Sequence, residues 1–260
     1  MTAPRIELSV TDGIARIVLA SPARRNAIDA RFCAEFAEAA AACETNRDIA
    51  VILLAARGEA FSVGGDLRDF VANRERIETH VRGMASAFHA GIMALRRAAA
   101  PVVAAVTGVA AGGGFTLVCG ADLVIAARSA RFVSAYTRSG LTPDGGGTFF
   151  LPRIVGLRAA FDIMATNPTL TAEDAKALGI VSRVLDDAGF DTGVERMLAE
   201  LSAMPTGALA GLKRLLMRGG EAELEAQLAA EADSIARHAS DPDTLRLLDA
   251  FLARSGGRPG

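Results

Sequence analysis

The chain has 260 residues, of which 51% are hydrophobic and 22% are charged, with a formal net charge of −2 at pH 7. This length allows one large domain or one domain with an appendage, and the balanced charge argues against a surface for nucleic acid. No apolar run reaches the roughly 18 residues that a membrane span needs, and the N-terminus lacks the apolar stretch of a signal peptide. We therefore expect a cytoplasmic protein that binds neither nucleic acid nor membrane.

Metal and disulfide chemistry find no support in the sequence. The three cysteines form a sparse, odd-numbered set that indicates no disulfide framework. The three histidines follow none of the spacings that zinc ligands adopt. We predict no metal site.

The chain opens with a predicted hairpin followed by a helix. Residues 6–10 and 14–19 are strand-like and flank an Asp12-Gly13 turn, a strong hairpin signal. Asp29 is placed to cap an amphipathic helix that ends near residue 45. Two antiparallel strands and one helix are expected here.

Two buried strands each lead into a glycine turn and then toward a helix. The apolar run at 50–56 precedes the turn Phe61-Ser62-Val63-Gly64-Gly65-Asp66-Leu67, in which Asp66 is placed to cap the next helix. The apolar run at 102–106 precedes Gly112-Gly113-Gly114. Adjacent glycines pack nothing, so they indicate either tight packing between elements or a ligand against the main chain. Each turn could offer one backbone N–H to the same ligand atom.

The segment after the first glycine turn is charged over 68–82 and is predicted to be a mobile flap. It leads into an amphipathic helix at 84–97 that carries His89, which is either a packing residue or a catalyst. Short strands are expected at 122–127 and 131–133. Asp144 then stands at a turn, where it either caps the helix expected at 149–155 or carries chemistry.

The last part of the chain is predicted to be helical. A capping box begins at Thr171, and a strand is expected at 180–185. The helices expected beyond it lie at 190–203, 206–217, 221–238 and 242–254. We therefore divide the chain into an α/β core at 1–190, which binds the ligand, and a helical region at 191–260, which serves oligomerisation and covers the active site.

These motifs resemble the crotonase superfamily, the enoyl-CoA hydratases and isomerases, over essentially the whole chain. The resemblance is carried by FSVGGDL at 61–67, the AAGGG that ends 101–114, GGGT at 145–148, LPR at 151–153 and AEDAKALGIVSRV at 172–184. It implies an α/β spiral of repeated ββα units with a C-terminal helical region, assembled as a trimer or hexamer. It also implies an acyl-CoA thioester as substrate, with coenzyme A as part of that substrate and no separate cofactor.

The resemblance also assigns roles to individual residues. The backbone N–H groups of Gly65 and Gly113 are expected to hold the thioester oxygen, where negative charge develops during the reaction. Arg24 and Arg25 become candidates for contact with the CoA phosphates. The substrate is expected to lie along Arg24, Ala27, Ser62, Gly64, Asp66, Leu67, Gly112, Thr116 and Tyr136.

The sequence departs from the hydratases of this family at the two glutamates that activate water. Alignment through the glycine triplet and through residues 132–140 places Thr116 and Tyr136 at those positions, and neither can act as a carboxylate base. Asp144 is the carboxylate that remains near the expected acyl pocket. Its GLTPDGGGT setting is similar to that of ring-1,2-epoxyphenylacetyl-CoA isomerases, in which an aspartate is the acid/base.

The resemblance leaves several functions open. In an isomerase, Asp144 would move a proton along the acyl chain, and this is the function we favour. In 4-chlorobenzoyl-CoA dehalogenases an aspartate at this place is the nucleophile, supported by a histidine that His89 matches and a tryptophan where Tyr136 stands. A hydratase, or a relative that binds acyl-CoA or RNA without catalysis, is a further alternative.

Overall fold

The structure, a computed structural model, describes residues 3–219. The helices predicted at 221–238 and 242–254 lie outside the described residues, as does His238. The strands are β1 (Ile6–Thr11), β2 (Ile14–Leu19), β3 (Val51–Ala56), β4 (Ala60–Ser62), β5 (Val102–Val106), β6 (Val109–Ala111), β7 (Leu123–Ala127), β8 (Arg131–Val133), β9 (Leu170–Thr171) and β10 (Arg183–Leu185). The α-helices are α1 (Ala30–Thr45), α2 (Leu67–Ala72), α3 (Ile77–Arg97), α4 (Gly113–Cys119), α5 (Gly147–Val155), α6 (Leu157–Thr166), α7 (Ala172–Ala177), α8 (Phe190–Ser202) and α9 (Thr206–Gly219).

Six strands form one largely parallel sheet in the order β1-β2-β3-β5-β7-β10. β1 is antiparallel to β2, because Asp12 and Gly13 have φ angles of 52° and 72° and form the tight turn that reverses the chain. The predicted hairpin is therefore confirmed. Asp29 caps α1 as predicted, since its carboxylate accepts a hydrogen bond from the Phe32 N–H at 2.8 Å.

The second sheet is smaller and has the order β4-β6-β8-β9. The pairs β3–β4, β5–β6 and β7–β8 each place their first strand in the large sheet and their second in the small one, and a helix follows each pair. The predicted ββα step is therefore present three times. Because β4 and β6 are parallel neighbours, the glycine turns that follow them lie side by side.

Both faces of the large sheet are buried, which explains why its strands are continuous apolar runs. Along β3, Ile52 and Leu54 face the main core, whereas Val51 and Leu53 face a second core. The second core is closed by α8 through its buried side chains, which are Phe190, Val194, Met197 and Leu198.

The structure differs from the prediction in two segments. The region predicted as a charged flap is helical, and α3 begins at Ile77 rather than at residue 84. The sequence of this region already has apolar residues at helical spacing, namely Ile77, Val81, Met84 and Phe88, among its charged residues. The strand predicted at 180–185 starts only at Arg183, because the N–H groups of Ile180 and Val181 both bond to the Ala175 carbonyl oxygen in α7.

The helices predicted at 190–203 and 206–217 are confirmed as α8 and α9. Lys213 ties α9 to the core: its buried Nζ donates to the backbone oxygens of Leu95 at 2.9 Å and Ala100 at 3.1 Å, and lies 2.9 Å from Asp122 Oδ2. Burial lowers the pKa of Lys213, and the neighbouring Asp122 opposes that shift.

The division of the chain at residue 190 stays a prediction. Within residues 3–219, no helix has the length and apolarity to cross a membrane.

Candidate active site

A cavity of about 290 Å³ lies between the α2–α3 segment and the two glycine turns. Its wall is mostly apolar and includes Ile28, Val63, Phe70, Val81, Met84, Phe88 and Leu141. Among the described residues, Asp144 is the one charged side chain that lines it, and the Tyr136 side chain and the backbone of Gly65 and Gly113 lie on the same wall. An apolar group in this cavity therefore meets a single carboxylate beside two peptide groups.

The two glycine turns touch each other. A Cβ on Gly64 would lie 2.8 Å from the Ala111 carbonyl oxygen and 3.3 Å from the Gly113 nitrogen, and φ at Gly64 is +83°. Gly112 also has a positive φ, +52°, and approaches Gly64 closely. Only glycine allows both this backbone conformation and this approach. Gly64 and Gly112 are therefore required by the fold, whether or not a ligand binds, whereas a Cβ on Gly65 would make only an ordinary contact with Phe70 at 3.6 Å.

The N–H groups of Gly65 and Gly113 remain available to a ligand. The Ile28 backbone bonds to the Gly64 carbonyl oxygen and to the Asp66 N–H, on either side of Gly65. The Gly65 N–H therefore points away from Ile28. Gly113 is the first residue of α4, where an N–H has no partner within the helix. Neither N–H donates a hydrogen bond within residues 3–219, and both residues line the cavity. The predicted pair of backbone donors is thus brought together.

The first glycine turn is supported by a buried polar network. Ser62 Oγ donates to the Asn26 carbonyl oxygen at 2.7 Å and accepts from the Gly64 N–H at 3.2 Å. Asn26 is fully buried, and its side-chain amide donates to the Ala60 carbonyl oxygen at 2.8 Å while its oxygen accepts from the Ser21 N–H at 2.8 Å. The sequence analysis missed Asn26. Asn26 has a positive φ of 53°, a backbone conformation that Asn tolerates better than most residues. An Asn in this polar loop was therefore a signal that the sequence analysis could have used.

Arg24 and Asp66 form an ion pair behind this turn. Arg24 Nη2 hydrogen-bonds to Asp66 Oδ2 and lies 3.4 Å from Asp29 Oδ2. Burial raises the pKa of Asp66, but the bonds from Arg24 and from the Arg68 N–H outweigh it, so this pKa lies below its usual value. Asp66 also caps α2 as predicted. Arg25 is exposed and has no ion pair within the described residues.

Asp144 is held by the phenol of Tyr136. The Tyr136 O–H donates to Asp144 Oδ1 at 2.5 Å, and α5 is capped by Gly146 rather than by Asp144. Burial raises the pKa of Tyr136, and the adjacent Asp144 carboxylate raises it further, so Tyr136 stays protonated and acts as a donor. The alternative interpretation of Asp144 as a helix cap is therefore wrong.

His89 holds the backbone beside Asp144. Its Nε2 accepts a hydrogen bond from the Gly145 N–H at 3.0 Å, which assigns the ring proton to Nδ1 in a neutral imidazole. The same Nε2 lies 3.9 Å from Asp144 Oδ2, beyond hydrogen-bond range. His89 is about half exposed. His89 lies near the Asp144 carboxylate, but the lone pair of its Nε2 already accepts the Gly145 N–H.

The remaining predicted site residues fall into two groups. Leu67 and Gly112 line the cavity. Thr116 is buried in α4 behind it, and its Oγ1 donates to the Gly113 carbonyl oxygen at 3.1 Å. A Cβ on Gly145 would lie 2.4 Å from the Thr116 hydroxyl, so Thr116 packs directly against the loop that carries Asp144. Ala27 is buried and likewise does not line the cavity.

The cavity also contains a thiol that the sequence analysis did not connect with the site. Cys33 lines the wall and is buried. Burial raises its pKa to about 12, with a smaller contribution from the charge of Asp144. Cys33 is therefore a neutral, apolar part of the wall at physiological pH.

Comparison with known proteins agrees with this geometry. The sequence profile described as Enoyl-CoA hydratase/isomerase matches residues 9–255. The chain belongs to this family. The chain is similar to 4-chlorobenzoyl coenzyme A dehalogenase-2 of Arthrobacter sp., to which it is 32% identical over 250 residues, covering 96% of this chain and 91% of the relative. The 1,2-epoxyphenylacetyl-CoA isomerase of Escherichia coli K12 is 32% identical over 246 residues, 94% of each protein.

Solved structures of the enoyl-CoA hydratase/isomerase family share the fold. A protein of Thermobifida fusca YX, crystallised in complex with acetoacetyl-CoA, superimposes with a TM-score of 0.85 at 30% identity, over 91% of this chain and 96% of that one. The predicted membership of the crotonase superfamily and the predicted α/β spiral are therefore confirmed. The relatives carry names of more than one activity, so family membership alone does not select among isomerase, hydratase and dehalogenase.

Proposed function

We propose that the protein is an acyl-CoA isomerase that shifts a double bond through a thioester enolate. The observation that carries this proposal is the single carboxylate, Asp144, facing an apolar cavity beside two free backbone N–H groups. Isomerisation needs one group that removes a proton and returns it, whereas the hydratase mechanism of this family uses two glutamates. Thr116 and Tyr136, which stand at those two positions, cannot replace them.

The proposed reaction uses groups that the cavity already presents. Asp144 takes a proton from the carbon next to the thioester, the C–H electron pair moves into the enolate, and the charge rests on the thioester oxygen. The N–H groups of Gly65 and Gly113 stabilise that oxygen; one such donor is worth roughly 10²–10³-fold in rate. The protonated Asp144 then returns the proton to the γ carbon, which moves the double bond. The coenzyme A named in the relatives and the acetoacetyl-CoA complex support an acyl-CoA substrate.

A dehalogenase is the second candidate, and the match to the Arthrobacter enzyme favours it. In that chemistry Asp144 would attack an aryl carbon, displace halide, and be released by water that His89 activates. The geometry of His89 argues against this role, because its Nε2 accepts the Gly145 N–H and its other ring nitrogen carries the proton. His89 would have to release Gly145 before it could take a proton from water.

Two substitutions separate these functions. If Asp144 is the acid/base, Asp144→Asn should bind acyl-CoA but lose isomerisation of a β,γ-unsaturated acyl-CoA and exchange of its α protons in D₂O, followed by NMR. His89→Gln should then reduce turnover modestly, through the loop. If the enzyme is a dehalogenase, 4-chlorobenzoyl-CoA should release chloride and His89→Gln should accumulate a covalent aryl adduct, visible by mass spectrometry. Full activity of Asp144→Asn on every acyl-CoA would contradict both proposals.

We further propose that the protein is a homotrimer or a dimer of trimers. Two helices expose large apolar side chains one turn apart, namely Leu157 and Phe161 on α6 and Leu212 and Leu216 on α9. Exposed apolar clusters of this kind mark association surfaces. Light scattering should give at least three times the 26.9 kDa chain mass at micromolar concentration, and a monomer mass would refute this proposal.

A further inference from the structure

Tyr136 is the partner of Asp144 that neither the family's chemistry nor the isomerase proposal uses. Its O–H donates to Asp144 Oδ1 at 2.5 Å, whereas Oδ2 accepts no hydrogen bond within the described residues. The two oxygens of one carboxylate are therefore unequal. A carboxylate held at one oxygen cannot rotate freely, so it presents the other in a fixed direction.

We propose that Tyr136 is a positioning residue for Asp144, which keeps the carboxylate ionised and reserves Oδ2 for the proton that moves along the acyl chain. This inference rests on the proposed role of Asp144 as the acid/base. A hydrogen bond to the charged form of a carboxylate stabilises that form, so the phenol extends the active range of the enzyme toward lower pH. Tyr136 itself does not exchange a proton, because its buried phenol remains protonated.

Other titratable groups near Asp144 do not provide this function. His89 on α3 lies 3.9 Å from Oδ2 and uses its Nε2 lone pair on Gly145. Cys33 on α1 interacts with the Asp144 charge, but burial raises its thiol pKa to about 12, so it remains neutral in the acidic range. The variant His89→Gln removes the imidazole as a second source of charge beside Asp144.

The composition of the chain makes the test specific. Tyr136 is the only tyrosine, and the chain has no tryptophan. Growth on 3-fluorotyrosine therefore labels this one phenol, and its ¹⁹F resonance reports the charge of the carboxylate that it contacts. We expect the resonance to titrate between pH 3 and 8 in the His89→Gln protein and to lose that titration in His89→Gln/Asp144→Asn. A titration that survives the loss of Asp144 would overturn the proposal.

The kinetic test uses the full-length enzyme and the pH profile of kcat/KM. Tyr136→Phe should move the midpoint of the acidic limb up by roughly one to two pH units, the size expected for one lost hydrogen bond to a charged group. It should also lower kcat about tenfold with little change in KM, since orientation and not binding is lost. A merely structural tyrosine would lower the fraction of active enzyme without moving the limb, and an unmoved limb in folded Tyr136→Phe overturns the proposal.

A second variant covers the case in which Tyr136→Phe fails to fold. Replacing Tyr136 with 3-fluorotyrosine keeps the shape of the side chain and makes the phenol a stronger donor, so the acidic limb should move to lower pH. An unmoved limb in this protein likewise overturns the proposal. The spectral titration requires no turnover, so a Tyr136–Asp144 coupling in a protein without isomerase activity would refute the proposed function while leaving the coupling established.

Discussion

The contact between the two glycine turns predicts a large effect from one added methyl group. In Gly64→Ala the new Cβ would lie 2.8 Å from the Ala111 carbonyl oxygen, about 0.6 Å inside ordinary contact, in a backbone conformation with φ of +83°. The left-handed backbone costs roughly 1–2 kcal/mol for a non-glycine residue, and the overlap adds about 1–3 kcal/mol. The turns must separate, and the Gly113 N–H moves with them.

Gly189→Ala is the matched control, because Gly189 has φ of +87° but open space around its Cβ and lies at the start of α8, away from the cavity. It should carry only the backbone cost. For a domain of this size each kcal/mol lowers Tm by about 2–4 °C, so calorimetry should place Gly64→Ala below Gly189→Ala by roughly 2–12 °C.

Turnover should separate the two variants more strongly than stability does. A displacement of about 1 Å at a catalytic group costs on the order of 10²-fold, so a shift of about 0.6 Å should reduce α-proton exchange roughly tenfold or more in Gly64→Ala. Gly189→Ala should keep wild-type exchange. If folded Gly64→Ala exchanged protons as fast as Gly189→Ala, the two turns would not jointly form the oxyanion site.

Three further predictions concern the contact between α2 and α3, helix α9, and the Tyr136 phenol. His80 Nε2 lies 2.8 Å from Asp69 Oδ2 and joins α3 to α2, so His80→Ala and Asp69→Asn should each raise KM for acyl-CoA severalfold, and the double variant should add little, as steady-state kinetics can check. Lys213→Ala should lower the free energy of unfolding by about 3–5 kcal/mol in urea titrations, because Asp122 loses its cation and keeps only the Val102 N–H among the described residues, and two buried carbonyls lose the Lys213 donor. The raised pKa of Tyr136 means that the folded state retains a proton that the unfolded state, with its phenol near 10.0, releases. Stability should therefore fall above pH 10 by about 1.4 kcal/mol per pH unit, and this contribution should be absent from Tyr136→Phe in urea titrations.

Local signals predicted the frame of the molecule well. The Asp12-Gly13 hairpin, the caps at Asp29 and Asp66 and the capping box at Thr171 depend on side chains within a few residues of each other, and all four are present. The start of α3 was missed because charged side chains obscured an apolar helical spacing that begins at Ile77. For a helix such as α3, which covers a cavity, the spacing of its apolar residues predicts where the helix begins better than its overall polarity does.

The site was predicted less completely, because its decisive contacts join distant parts of the chain. The two glycine turns could be paired in advance, since each follows a strand and precedes a helix. The bond from Gly145 to His89 spans 56 residues, and no local pattern indicates it. Asn26 and Cys33 were missed for the same reason, since the Asn26 amide donates to Ala60, 34 residues away, and Cys33 joins a cavity wall built from distant segments.

The division between backbone and side chain explains how one fold supports several chemistries. The Gly65 and Gly113 donors belong to the main chain, so a side-chain substitution elsewhere in the cavity leaves them in place and would preserve the proposed stabilisation of a thioester oxygen. What varies is the group that meets the acyl carbons. In the proposed function that group is Asp144, which the Tyr136 phenol holds on one side and a loop bonded to His89 through Gly145 holds on the other. A histidine that fastens the loop through Nε2 cannot at the same time activate water through that atom. Hydrolytic chemistry therefore requires this loop to move, whereas proton transfer along a bound acyl chain does not, and the observed hydrogen bonds favour the latter.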